Sequence, residues 1–321
     1  MSNTWYFNAE KQLLVKVKVI TRRKLETIFS FSDMSSDEKI CEISLSEYIN
    51  GGAAFSADGE KFFYIADMKL VDGMPQNPLN YIDLENKIIK NYDFLTPAFG
   101  CKNVSCNNNL ISYFKGESLI VKTLDGVEVF QKNFDLGKYY TAEISPDGKL
   151  IAVSTGKNEL SKTINIQLFS LENKGLADRI IMIDDSVYNE NSIAQIQFHP
   201  TGKYLFALGY YANFFAIDIA AKTNFAAELA VKQLDLADGI PTKHLHYPYR
   251  DMDISRDGKR LVLVTNHCDV FLYDIDARAL LNTYNFEVET KVKKQVKFID
   301  DQGRKFFFGT GLGTYKIVAA E

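Results

Sequence analysis

The sequence predicts an all-β protein of seven repeated sheets, and three observations carry that prediction. A hairpin pattern returns seven times along 321 residues. The repeats are spaced as four-stranded units are. The chain also holds 23 Phe and 17 Tyr, residues that suit a pleated, half-buried surface better than a helix.

Each repeat is an apolar run, a polar turn centred on Gly or Asn, and a second apolar run. Residues 7–14 open the series and residues 54–65 follow, turning at Asp58-Gly59. Residues 104–113 surround Asn108, and residues 142–153 turn at Asp147-Gly148. Residues 196–207 turn at Thr201-Gly202, 252–263 at Asp257-Gly258 and 296–308 at Gln302-Gly303. With Glu10, Gly59, Asn108, Gly148, Gly202, Gly258 and Gly303 as markers, the steps are 49, 49, 40, 54, 56 and 45 residues. That is the period of one blade of a β-propeller. Gly at these turns supplies the positive φ that a tight connection between strands demands.

A third strand follows several hairpins and closes on a short signature: Tyr81-Ile82-Asp83-Leu84, Ala216-Ile217-Asp218-Ile219 and Leu272-Tyr273-Asp274-Ile275. Phe169-Ser170-Leu171 takes that place in the fourth repeat. Outer strands are expected at 88–94, 127–134, 179–183 and 279–286. Residues 224–234 read equally as a short helix or an alanine-rich strand. Residues 4–7 serve either as the outer strand of the last repeat or as the first inner strand. One such sheet leaves both faces apolar, and radial packing of seven buries them. The expected architecture is one seven-bladed propeller domain over residues 1–321. Its approximate blades are 1–50, 51–96, 97–137, 138–188, 189–249, 250–291 and 292–321.

Composition narrows the function classes. Lys and Arg number 37 against 41 Asp and Glu, a formal net charge of −4, with both signs dispersed. No polybasic arm points to nucleic acid or an anionic membrane. The first residues hold neither a basic region nor an apolar core of a leader, and no run of some 18 apolar residues occurs, so a cytoplasmic protein is expected. Cys41, Cys101, Cys106 and Cys268 are scattered, which reads as reduced thiols.

The hairpins at 144–153 and 254–265, the latter ending Val264-Thr265-Asn266, resemble those of WD-repeat and YVTN-type seven-bladed propellers. The resemblance covers essentially the whole chain, although the Trp-Asp pair and Gly-His opening of true WD repeats are missing from every blade. It implies loops that gather on one face: those entering the inner strands and those between second and third strands.

Candidate site residues follow from that placement. The approach to the sixth blade packs His244, His246, Tyr247, Tyr249 and Arg250 into a few residues, and Tyr and Arg are favoured contact residues. Tyr139, Tyr140, Tyr210, Tyr211 and His267 lie in other loops of that face, as does the excursion 67–79. His199 sits in a hairpin turn on the opposite face, in a turn-bonding role. Residues 291–294 form a small cationic patch that reads as a solvated strand start in preference to a phosphate site. His244 and His246 share a strand face at metal-ligand spacing, but no third ligand is identifiable, and neither metal nor cofactor is expected.

The expected function is a monomeric, non-enzymatic scaffold that binds a protein or peptide partner. The alternative is an enzyme, because 198–205 is similar to repeats of sugar-lactone hydrolases and muconate-type cyclases. That resemblance implies catalytic roles for residues just before an inner strand, here Arg250 and Asp251, with an acid where those enzymes carry histidine.

Overall fold

A computed structural model describes residues 2–8, 11–21, 25–34, 36, 38–96, 104–134, 141–158, 163–183, 193–209, 214–225, 249–265, 268–287 and 293–320. Among them are seven sheets and no helix, so no helix is long and apolar enough to cross a membrane. Sheet one is β1 (Ser2–Asn8), β2 (Leu13–Ile20), β3 (Glu26–Asp33) and β4 (Lys39–Leu45). Sheet two is β5 (Ile49–Phe55), β6 (Lys61–Ala66), β7 (Lys69–Val71), β8 (Met74–Asp83) and β9 (Ile88–Leu95). Sheet three runs β10 (Val104–Asn107), β11 (Leu110–Lys115), β12 (Ser118–Thr123), β13 (Glu128–Asn133). Sheet four runs β14 (Ala142–Ile144), β15 (Leu150–Asn158), β16 (Thr163–Ser170), β17 (Leu176–Ile183). Sheet five is β18 (Ile193–Phe198), β19 (Tyr204–Gly209), β20 (Phe214–Asp218) and β21 (Thr223–Asn224). Sheet six is β22 (Tyr249–Ile254), β23 (Arg260–Thr265), β24 (Asp269–Asp274) and β25 (Ala279–Asn285). Sheet seven has three strands, β26 (Lys294–Phe298), β27 (Lys305–Thr310) and β28 (Tyr315–Ala319). These are the blades of a seven-bladed β-propeller, the class the repeat predicts.

The chain divides into two compact units, residues 1–156 with 165–179, and residues 157–164 with 180–321. In the first unit β1 lies beside β5, β5 beside β10 and β10 beside β14. In the second, β22 lies beside both β18 and β26. First strands therefore neighbour first strands, and apolar faces meet between sheets. Phe29 and Phe31 of β3 interlock with Phe62 of β6, edge to face at 6.0 and 5.7 Å. Phe206 of β19 clusters with Met252 of β22 and Leu261 and Leu263 of β23. Several second strands are buried on both sides, as Leu261 to Thr265 are, and so read as unbroken apolar runs, whereas β2 alternates buried Val with half-buried Lys. Each fully buried Phe or Leu contributes about 2 kcal/mol.

The turns repeat one hydrogen-bond design. In Ser56-x-Asp58-Gly59 the Ser56 hydroxyl donates to Asp58 and accepts the Lys61 N–H, while Asp58 accepts the Glu60 N–H. Ser145 with Asp147 and Ser255 with Asp257 repeat it. The glycine that follows takes φ of 73°, 69° and 75° in the three turns. The turn after the third strand has its own design. Asp83, Asp218 and Asp274 each accept the N–H three residues on, and Lys87, Lys222 and Arg278, four residues on, take φ of 53–56°. The apolar-Asp-apolar closing signature thus marks where a third strand ends.

Neighbouring turns are latched together. Asn8 Nδ2 donates to Ser56 O at 3.0 Å, and Asn108 Nδ2 to Asp147 O at 2.9 Å. His199 is buried; its Nε2 donates to Gly258 O at 2.8 Å. Its Nδ1 then accepts from Thr201, the roles of the Nε2–H tautomer. The turn role expected of His199 is present, and the bond to the next sheet is added to it.

Three expectations need correction or resolution. Residues 4–7 form the first strand of sheet one, with Thr4 paired to Val17, and leave sheet seven without them. The excursion 67–79 is a second β-hairpin, Lys69 pairing with Gln76 and Val71 with Met74, because Asp72 and Gly73 adopt φ of 51° and 77° at its tip. Lys294 is fully buried, so the strand start around 291–294 is not uniformly solvated. The helix-or-strand choice at 224–234 falls largely outside the described residues.

Candidate functional site

Of the residues singled out in the sequence, His244, His246, Tyr247, Tyr139, Tyr140, Tyr210, Tyr211 and His267 lie outside the described residues, as do Lys291 and Val292. Tyr249 and Arg250 are the first residues of β22. The register of β22 against β23 shifts between Tyr249 and Asp251, which makes Arg250 a bulged residue, and it is exposed. Bulges re-aim a side chain at a strand end. The first strands of sheets two and five carry the same irregularity near their starts.

Below Arg250, β22 turns two carboxylates toward β26. Asp251 Oδ2 accepts the Val296 N–H at 3.1 Å, and Asp253 Oδ2 accepts the Phe298 N–H at 2.8 Å. The alternation of β22 puts both on one face, two residues apart, matching the two-residue repeat of β26. Lys297 Nζ lies 3.3 Å from Asp253 Oδ1 and 3.8 Å from Asp251 Oδ1, and donates to Met252 O at 3.0 Å. From β18, Gln197 Nε2 donates to Asp253 Oδ1 at 3.0 Å and Gln195 Nε2 to Met252 O at 3.1 Å. Burial pushes the Asp251 carboxyl above its ordinary value, against the pull of Lys297 and the Val296 N–H. Its other oxygen accepts the Met252 N–H at 3.0 Å. Both oxygens of Asp251 are therefore held by backbone amides, and the cluster sets the register of three first strands. Among the described residues, no three His, Cys, Asp or Glu side chains converge as a metal site would require.

A second cluster, not found from the sequence, joins sheets two and three. Asp93 of β9 accepts from Tyr113 OH at 2.6 Å, Lys115 at 2.9 Å and Lys122 at 3.0 Å. Burial opposes its ionisation, but the three donors outweigh it and hold the carboxyl at about 2. No linear motif marks it, because its members come from β9, β11 and β12.

The β7–β8 hairpin is the most exposed apolar feature described. Met68, Leu70 and Met74 are 54%, 77% and 64% exposed. Two contacts tie its base: Asn77 Nδ2 donates to Ala66 O at 3.0 Å, and Lys69 pairs with Glu47 at 2.7 Å. The hairpin occupies the connection between second and third strands of its sheet, one of the loop positions expected to carry contacts.

Comparisons with known proteins bear on the fold. No protein-family model matches the sequence, and no curated protein matches it. Solved structures do match. One is the C-terminal WD40 domain of Sif2, at TM-score 0.62 and 11% identity over 100% of this chain and 81% of that one. Another is a chain of a mitotic checkpoint complex, at TM-score 0.65 and 9% identity over 99% of this chain and 86% of that one. The chain thus has the seven-bladed β-propeller fold and shares its fold with a WD40 domain; at such identities the likeness is one of fold.

Proposed function

We propose that this protein is a propeller scaffold that binds a protein or peptide through loops entering first strands and joining second to third strands. The observation that carries the reading is the β7–β8 hairpin, which holds Met68, Leu70 and Met74 in water on a hydrogen-bonded base. Exposed apolar side chains on an ordered projection mark contact surfaces, and methionine adapts to varied partners. The exposed Arg250 at its bulge is a second contact of the same kind. The similar solved structures, a WD40 domain and a chain of a mitotic checkpoint complex, support the same class of role.

The test is affinity capture from the native cell with the wild-type chain, a Leu70→Asp/Met74→Asp variant and an Arg250→Ala variant, each first checked for an unchanged melting temperature. The reading expects the hairpin variant to lose a defined subset of captured proteins. Identical captures from all three chains would refute the hairpin and Arg250 as contacts.

A further inference from the structure

Among the described residues, sheet seven has no outer strand, whereas sheets one to six each have one. Its third strand, β28, is therefore an edge. Thr310 N–H donates to Thr314 O at 2.9 Å, and Ala320 N–H to Arg304 O at 2.7 Å. Antiparallel pairing alternates, so the backbone groups of residues 316 and 318 also face β27, while those of Ile317 and Ala319 face outward. Tyr284 OH reaches across from sheet six to take Ala319 O at 3.1 Å. Among the described residues no strand pairs with this outer edge. Ile317 is 51% exposed and Leu312 56%, and Tyr315 is 41% exposed while stacked on Phe307 at 5.4 Å.

The exposed charges of sheet seven are mainly basic. Arg304, Lys305 and Lys316 are exposed, and Lys316 Nζ lies 5.4 Å over the Phe286 ring. The acidic groups near them are in use: Asp300 accepts the Arg304 N–H, and Asp301 pairs with Arg256 of sheet six.

We propose that β28 is a strand-docking edge that takes an extended, acidic segment of a partner protein as the fourth strand of sheet seven. The fourth strands of this chain, the two-residue β21 apart, describe the occupant: six to eight residues, antiparallel, with alternate apolar side chains turned inward, as Phe130 is in β13 and Tyr284 in β25. Main-chain bonds supply affinity in such docking, and alternate side chains supply specificity. The basic flank selects carboxylates at the outward positions. This surface is separate from the β7–β8 hairpin and stands without it.

The test uses two synthetic eight-residue peptides with capped ends, one alternating Val with Glu and one alternating Val with Lys, added to the full chain. Binding is read by amide hydrogen exchange and by fluorescence anisotropy. Without peptide the Ile317 amide exchanges at least about tenfold faster than that of Val318; the Glu peptide slows it at least about tenfold and binds about tenfold more tightly than the Lys peptide. Ile317→Pro, which removes only an outward-facing N–H, weakens the Glu peptide about tenfold. Should that variant not fold, Ile317→Lys reports the same contact through its side chain. Three results overturn the proposal: an Ile317 amide as protected as Val318 in the peptide-free chain, equal binding of both peptides, or no effect of either variant. Self-association that Ile317→Pro abolishes would assign the edge to a second copy of the chain and overturn it likewise.

Discussion

Strands β24 and β28 occupy the same position in adjoining sheets and differ in what lies outside them. In sheet six, β25 pairs along β24 from Asp269↔Asn285 to Asp274↔Ala279, and Val270 and Leu272 are fully buried. In sheet seven no described strand lies outside β28, and four of its five residues are exposed. The two strands have similar composition, Val-Phe-Leu-Tyr against Tyr-Lys-Ile-Val. Burial of a propeller strand is thus set by its neighbour rather than by its own apolarity. A chain can hold a sheet open at one edge without losing the packing of its other face, where Phe306 and Phe308 meet Val262 and Val264.

That comparison can be broken most forcefully by truncation. Leu272→Ala is expected to cost about 3 kcal/mol through lost burial and a residual cavity, and Ile317→Ala less than about 1 kcal/mol. Equal costs in urea titrations would mean that β28 is covered. The same contrast of covered and open exists at the turns. A Cβ on Gly258 would sit 2.4 Å from the His199 ring, whereas a Cβ on Gly202 would meet nothing within 4 Å, and both have φ above 70°. Gly258→Ala should therefore cost about 2–3 kcal/mol and Gly202→Ala about 1 kcal/mol. Adding His199→Ala should recover part of the first penalty and none of the second.

Fourth strands also carry ties that sheet seven does without, and acid probes one of them. Asp93 on β9 has a carboxyl held below its unfolded value of about 4. Its contribution, about 2 kcal/mol, is complete above pH ~4 and is lost as pH falls toward 2. Asp93→Asn should lower stability at neutral pH and flatten the acid limb of a stability curve measured from pH 6 to 2; an unchanged limb would mean that the three donors do not act on it. The smallest effect is expected at the β7–β8 tip. Leu70→Asp with Met74→Asp should move stability by less than about 0.5 kcal/mol, since both side chains already lie in water.

Much of the fold was legible because turn chemistry is local. Asp58-Gly59, Asn108-Asn109 and Thr201-Gly202 each place positive φ at a hairpin turn, and the Asp that closes a third strand bonds within three residues. Residues 67–79 read as a loop excursion, yet they fold as strands in which Pro75 pairs with Leu70 and Pro78 with Phe94. The candidate site was far less legible. Its sequence signal was a density of His and Tyr in stretches that lie mostly outside the described residues, while Asp93 and the Lys297 cluster draw members from strands tens of residues apart.

By itself the sequence determined the number of hairpins, their turns and the alternation of each strand, because these depend on bonds between residues close along the chain. Only the tertiary structure decided which strand became an edge, which carboxylates were drawn to a neighbouring sheet's amides and which apolar side chains stayed in water. Those outcomes depend on what packs alongside, and a residue's neighbours in space are not written in its neighbours in sequence.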